Sequence, residues 1–179
     1  IFSIIHENSM RVSFATTNTG KANAARVTLA PFGIDVVQEA ISIPEIRSDY
    51  LHEIAEQKAR YAYEMLRQPV FSVDAGFYIH SLKGFPKAYV NFVLQTIGID
   101  GLLTLTDGKS RACEFRNCLA YLDETLSKPK LFEGVVIGNL ATERKGIPQS
   151  FFWSDLFYIF IPTGETKTFA EMTPEEYQE

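Results

Sequence analysis

Phe14-Ala-Thr-Thr-Asn-Thr-Gly-Lys-Ala-Asn-Ala-Ala-Arg26 joins a short apolar run to an alanine-rich helical pattern through four hydroxyl or amide residues, a glycine and a lysine. The pattern is a strand, a polar turn and a helix start. Unpaired backbone N–H groups and the positive end of the helix dipole meet at such a start. Thr16, Thr17, Asn18 and Thr19 add donors there and Lys21 adds a full charge, so the turn suits a phosphate. It is not a Walker A loop, which needs glycine where Ala15 stands and Ser or Thr where Ala22 stands, and P-loop kinases and ATPases are disfavoured. On its own the stretch fits an ordinary capped helix after an ordinary strand equally well.

Outward from this turn, the 179 residues, 46% apolar and 22% charged, fall in the range of one globular domain with a real core. Residues 1–9 read as an N-terminal extension before Met10, and 10–179 as a single domain. A net charge of −5 disfavours a general nucleic-acid or anionic-membrane surface, so any phosphate must be met by locally placed cations. No apolar run approaches the roughly 20 residues of a membrane span. Cys113 and Cys118 stand at odd separation in a strand-like segment, which turns them to opposite faces and argues for free thiols and a cytoplasmic setting. The three histidines lack metal-ligand spacing, and no nucleophile elbow or Cys/His pairing suggests covalent catalysis.

After a helix over Gly20 to Leu29, Ile34 to Gln38 reads as a second strand, and Ile41 to Ile46 as a loop in which Glu45 is ordinarily a solvated carboxylate. Ser48 to Gln68 is the clearest helix, with Ser48 and Asp49 as cap candidates and a stripe of Leu51, Ile54, Ala55, Ala59, Ala62, Met65 and Leu66. Lys58 lies inside that stripe. A lysine there either extends its stem to water or faces an anionic group. Val70 to Val73 reads as a buried strand ending in Asp74 before a turn at Ala75-Gly76. If that strand runs parallel to the first, Asp74 and the Thr16 to Lys21 loop share the ligand-gathering end of the sheet, where a carboxylate can hold Mg²⁺ on a phosphate. Alternatively Asp74 is a turn residue bonded to nearby backbone. Arg111 to Leu122 and Leu131 to Ala141 suggest an antiparallel hairpin, and Leu156 to Ile161 a further apolar strand.

Thr16-x-Asn18-x-x-Lys21, Lys58-Ala59, Asp74-Ala75-Gly76-Phe77, Gly84-Phe85-Pro86, Phe151-x-Trp153 and Thr168-Phe169-Ala170-Glu171-Met172 together resemble the inosine triphosphate pyrophosphatase family, in order and spacing over Arg11 to Glu176. The resemblance implies an α/β fold with a long mixed β-sheet and flanking helices forming two lobes around a nucleotide cleft, usually in a homodimer. It also implies Mg²⁺-dependent hydrolysis of ITP, XTP and dITP to the monophosphate and pyrophosphate. Carried onto this chain, Thr16, Asn18 and Lys21 would cradle the triphosphate and Lys58 would reach it. Glu45 and Asp74 would serve the metal and the attacking water. Phe151 and Trp153 would sit against the base, with Asp155 or Ser154 at its edge. The chain departs from the family pattern at Val73 and Ala24, where acidic residues are usual, and at Ser154-Asp155 in place of Asp-Pro. Lys87 follows Gly-Phe-Pro where glycine is usual, and Tyr177-Gln178 stand where a Lys-Asn pair precedes a base-recognising Ser-His-Arg element. Those departures motivate a second reading, a degenerate nucleotide-binding homologue with little or no activity.

Overall fold

The computed structural model describes residues 10–149 and 151–178, so residues 1–9 lie outside the described part. Strand β1 (Met10–Ala15) leads through the polar turn into α1 (Thr19–Leu29), as the opening stretch indicates. Asn18 caps α1, its side-chain oxygen accepting the Lys21 N–H at 3.0 Å. β2 (Ile34–Glu39) follows after Gly33, whose φ of 70° reverses the chain. Then come α2 (Leu51–Leu66), β3 (Val70–Ile79), the two-residue β4 (Pro86–Lys87), α3 (Val90–Thr96) and α4 (Gly98–Leu105). The hairpin of β5 (Ala112–Leu122) and β6 (Lys130–Leu140), the short β7 (Phe160–Pro162) and α5 (Pro174–Gln178) complete the described chain. The seven strands form one mixed sheet in the order β2-β1-β3-β5-β6-β7, with β4 on β3.

β3 organises the sheet because it forks. β1 pairs with it in parallel only at Ser13–Val70 and Phe14–Phe71, while β4 pairs with the same edge at Phe77–Lys87 and Tyr78–Pro86. β5 occupies the other edge for the full length of β3. Between the end of β1 and the start of β4 that edge is open. Asp74, Ala75 and Gly76 lie in the opening, and α1, α2 and α3 border it.

Each helix is held by apolar residues on its inward face. Ala22 of α1 packs with Val12, Phe14, Val36 and Phe71, where Phe14 and Phe71 stack at 4.3 Å. Leu51, Ala55 and Ala59 of α2 meet Cys118 and Ala120, and the buried Ser72 Oγ–H donates to the Ala55 carbonyl at 2.7 Å. On the opposite sheet face Val93, Ile99 and Leu102 join Phe77, Phe115, Phe157 and Phe160 in an aromatic-rich core. Burial pushes the Cys113 thiol up to about 12 and Cys118 up to about 11, so neither is a nucleophile.

Four expectations need correction. The long helix begins at Leu51, not Ser48: the Ser48 hydroxyl accepts from the Tyr50 N–H and donates to Glu53, and Asp49 holds Lys87 at 2.5 Å, so neither caps the helix. At its far end Met65 is exposed, since Tyr63 and Leu66 take the inward positions beside Ala62 and Val70. β3 runs straight through Asp74-Ala75-Gly76 without a turn. Leu156 to Ile161 is not a continuous strand. Asp155–Tyr158 is a short 3₁₀ turn, because the Ser154 side chain accepts the Leu156 N–H at 3.3 Å, and pairing starts only at Phe160. The apolar run reflects burial, not a ladder.

Candidate active site

The opening beside β3 is a cleft of about 350 Å³. Thr16, Thr17, Asn18 and Lys21 line it from the β1–α1 turn, Glu45 from the β2–α2 loop, Lys58 from α2, Asp74 from β3, and Trp153 and Ser154 from the loop before β7. Asp74 reaches it because β1 has already left the edge. Lys58 reaches it because the inward stripe of α2 aims at Asp74, which supplies the counter-charge that the sequence demands.

Lys58 Nζ donates to Glu45 Oε1 at 2.5 Å and to Asp74 Oδ1 at 2.8 Å. Lys58 and Asp74 are largely buried, at 14% and 12% side-chain exposure, whereas Glu45 is open at 66%. Burial opposes the Lys58 charge, but Asp74 and Glu45 outweigh it and hold the ammonium above the ordinary lysine range. Lys21 is different. Its Nζ lies over the Trp153 ring, 5.4 Å from the centroid, and among the described residues it pairs with no carboxylate. Burial pulls its pKa below the ordinary 10.5, and the Lys58 charge adds to the fall while Asp74 and Glu45 oppose it. Two lysines and two carboxylates thus share one pocket, in which Lys58, among the described residues, is the lysine paired with the carboxylates.

The turn itself is built by its own side chains. The Asn18 N–H donates to Thr16 Oγ1 at 3.1 Å, and Asn18 Nδ2 donates to the Trp153 carbonyl at 3.1 Å, tying α1 to the opposite wall. Gly20 permits this approach, since a Cβ there would lie 2.0 Å from the Phe152 carbonyl oxygen. Phe115 and Phe157 pack edge-on against Trp153, at 5.4 and 5.1 Å, and fix its ring beside Lys21.

Two expected site residues lie elsewhere. Phe151 is outside the cleft lining; it stacks on Tyr177 at 4.4 Å and borders a separate depression with Asn23, Ala24 and Val27. Asp155 is exposed at the head of the 3₁₀ turn, which leaves Ser154 facing the cleft instead. The cleft also has a wall the motifs did not indicate, Tyr89, Val90, Asn91 and Phe92. The preceding loop delivers it through left-handed residues at Lys83, Gly84 and Lys87, where Lys87 takes a φ of 56° despite its side chain. The Gly-Phe-Pro signal marks that loop but not where it leads.

A model of the Ham1 family matches residues 12–179. The chain belongs to the Ham1 family. This Ham1 chain is 42% identical over 168 residues to a dITP/XTP pyrophosphatase of Thermococcus kodakarensis, covering 93% of this chain and 88% of that one. It is also 42% identical to a dITP/XTP pyrophosphatase of Methanopyrus kandleri, covering 93% and 87%. Among solved structures, a Ham1 protein of Coxiella burnetii superposes with a TM-score of 0.78 at 23% identity, over 94% of this chain and 90% of that one. That of Staphylococcus aureus superposes with a TM-score of 0.76 at 23% identity, again over 94% and 90%. The Ham1 fold, a mixed sheet with flanking helices around a cleft, is therefore the fold of this chain.

Proposed function

We propose that this Ham1 chain hydrolyses deaminated purine nucleoside triphosphates such as dITP, XTP and ITP to the monophosphate and pyrophosphate. The observation that carries it is the pocket in which Lys58 is held between Glu45 and Asp74 while Lys21 faces the same space without a carboxylate. Two relatives at 42% identity are named dITP/XTP pyrophosphatases, which supports the choice of substrate. Both lysines and both carboxylates meet in the cleft, so nothing favours the degenerate alternative.

Mg²⁺ fits this donor set. Among the described residues no three His, Cys, Asp or Glu side chains cluster as a self-sufficient metal site. Mg²⁺ needs only one or two carboxylates when phosphates supply further oxygens. Asp74 and Glu45 would hold it, and when bound it neutralises charge on the phosphates. Lys21 and the α1 N-terminus bind the polyphosphate, and Lys58 leaves its carboxylates to donate to a phosphate oxygen. The exposed Glu45 orients the attacking water and takes its proton as the bond between the α and β phosphates breaks. Trp153, Ser154 and the Tyr89–Phe92 wall bound the remaining space, where the base lies. Assayed by pyrophosphate release, dITP and XTP are expected to exceed dATP in kcat/KM by about a hundredfold. Equal use of all three would refute a base-selective site.

Lys21 dictates the alkaline limit. Because burial lowers its pKa, it loses its charge below 10.5 and with it the attraction for the triphosphate. KM is expected to rise on that limb, and Lys21→Arg should move the rise to higher pH. A wild-type KM that is flat up to pH 10.5 would contradict this role.

Two buried free thiols support a cytoplasmic setting, and among the described residues no helix is long and apolar enough to cross a membrane. We assign a homodimer contact to β6. β7 pairs with it only from Gly138, and Thr163 donates to the Ile137 carbonyl at 2.9 Å, which leaves 130–136 as an open edge with Leu131, Phe132, Val135 and Val136 exposed. Antiparallel pairing of two copies about Gly134 sets Phe132 opposite Val136 and Glu133 opposite Val135. A Cβ at Gly134 meets nothing within 4 Å, so Gly134→Cys is tolerated and should link two copies on mild oxidation. A monomer by light scattering at micromolar concentration would exclude the contact.

A further inference from the structure

We infer that Lys58 bars divalent metal from the nucleotide-free cleft, so that metal enters only together with the polyphosphate. This rests on the triphosphate-binding role proposed above. The Lys58 ammonium stands 2.5 Å from Glu45 Oε1 and 2.8 Å from Asp74 Oδ1, so it occupies the carboxylates that would hold a metal. Without a phosphate in the cleft it has no other anion to turn to. Its stem runs inside the apolar stripe of α2, and its side chain is only 14% exposed. A bare divalent ion would displace it into a pocket that already holds the Lys21 charge, with no anion to receive either ammonium. A triphosphate changes the balance. Its oxygens accept the protons of Lys58 and Lys21, and the carboxylate oxygens of Asp74 and Glu45 are released toward the metal that the nucleotide carries. The two cations that hold the substrate thereby order its arrival: metal and nucleotide come as one complex, and free metal does not activate the empty protein.

The test is Mn²⁺ binding to the nucleotide-free protein, read by electron paramagnetic resonance and calorimetry without turnover. The wild type is expected to show no saturable site tighter than about millimolar. Lys58→Gln and Lys58→Met, each checked for a cooperative thermal transition, should gain one site at least about tenfold tighter. Adding Asp74→Asn to either should remove the gain. Micromolar Mn²⁺ binding by the wild type overturns the inference whether or not the variants fold, and so do folded variants that bind no better than the wild type. The outcome is separable from the catalytic reading: a protein that excludes Mn²⁺ but never hydrolyses dITP defeats only the latter, and one that hydrolyses dITP yet binds Mn²⁺ tightly when empty defeats only the former.

Discussion

Asp74→Asn is expected to lower kcat for dITP by about a thousandfold, the scale on which losing one preorganised charge in a water-poor site acts. Asp74 is 9% exposed and sits where the fork in β3 leaves the edge free, so no other residue of the strand can replace it. The amide keeps the shape but neither neutralises Lys58 nor supplies an anionic oxygen to a metal. Stability should fall as well, because Lys58 then keeps only the exposed Glu45. The loss should be less than the 3–5 kcal/mol typical of breaking a fully buried pair, since Glu45 remains. Steady-state kinetics alongside thermal unfolding separates the two effects. A folded variant within tenfold of wild-type kcat would show that Asp74 is structural.

Gly20→Ala should damage the site without touching a charge. Its Cβ would fall 2.0 Å from the Phe152 carbonyl oxygen, 2.8 Å from the Phe152 carbonyl carbon and 2.9 Å from Trp153 Cα, all backbone atoms that no rotamer change can clear. Either α1 or the Trp153 loop must move, which parts the Asn18–Trp153 hydrogen bond and separates Lys21 from its aromatic seat. A cost of about 1–3 kcal/mol in stability is expected. Displacement of one cleft wall by about 1 Å should cost about a hundredfold in kcat/KM. Denaturant unfolding and kinetics check both figures. Unchanged values would mean that the two walls are not in contact.

These two residues also mark how far the sequence could be read. Strand, turn and helix at Phe14 to Arg26, the stripe of α2 and the β5–β6 hairpin are local patterns, and their periodicity survives into the structure because each element buries the face its own sequence offers. Lys58 was legible for a related reason: a cation in an apolar stripe demands a partner, and Asp74 is that partner. Gly76 misled. It resembles a turn residue, yet it continues β3 because a Cβ there would lie 2.9 Å from the Lys87 carbonyl oxygen, so the glycine serves the approach of β4. Phe151 and Trp153 are two residues apart and alike in chemistry, and only tertiary packing tells them apart: Phe151 stacks on Tyr177 outside the cleft, while Trp153, whose Nε1–H donates to the Tyr177 hydroxyl, lines it. The Gly/Pro loop over Leu82 to Tyr89 and the helical pattern from Val90 are legible, but not that Tyr89–Phe92 line the cleft, since that depends on how the Lys83 to Lys87 loop folds across β3.

The sharpest test of the shared pocket is product analysis of dITP hydrolysis by phosphorus NMR with Mg²⁺ present. Equimolar nucleoside monophosphate and pyrophosphate, without orthophosphate, is the result predicted from a cleft that grips the polyphosphate through Lys21 and Lys58. Diphosphate with orthophosphate, or no product from dITP, XTP or ITP at high protein concentration, would contradict it.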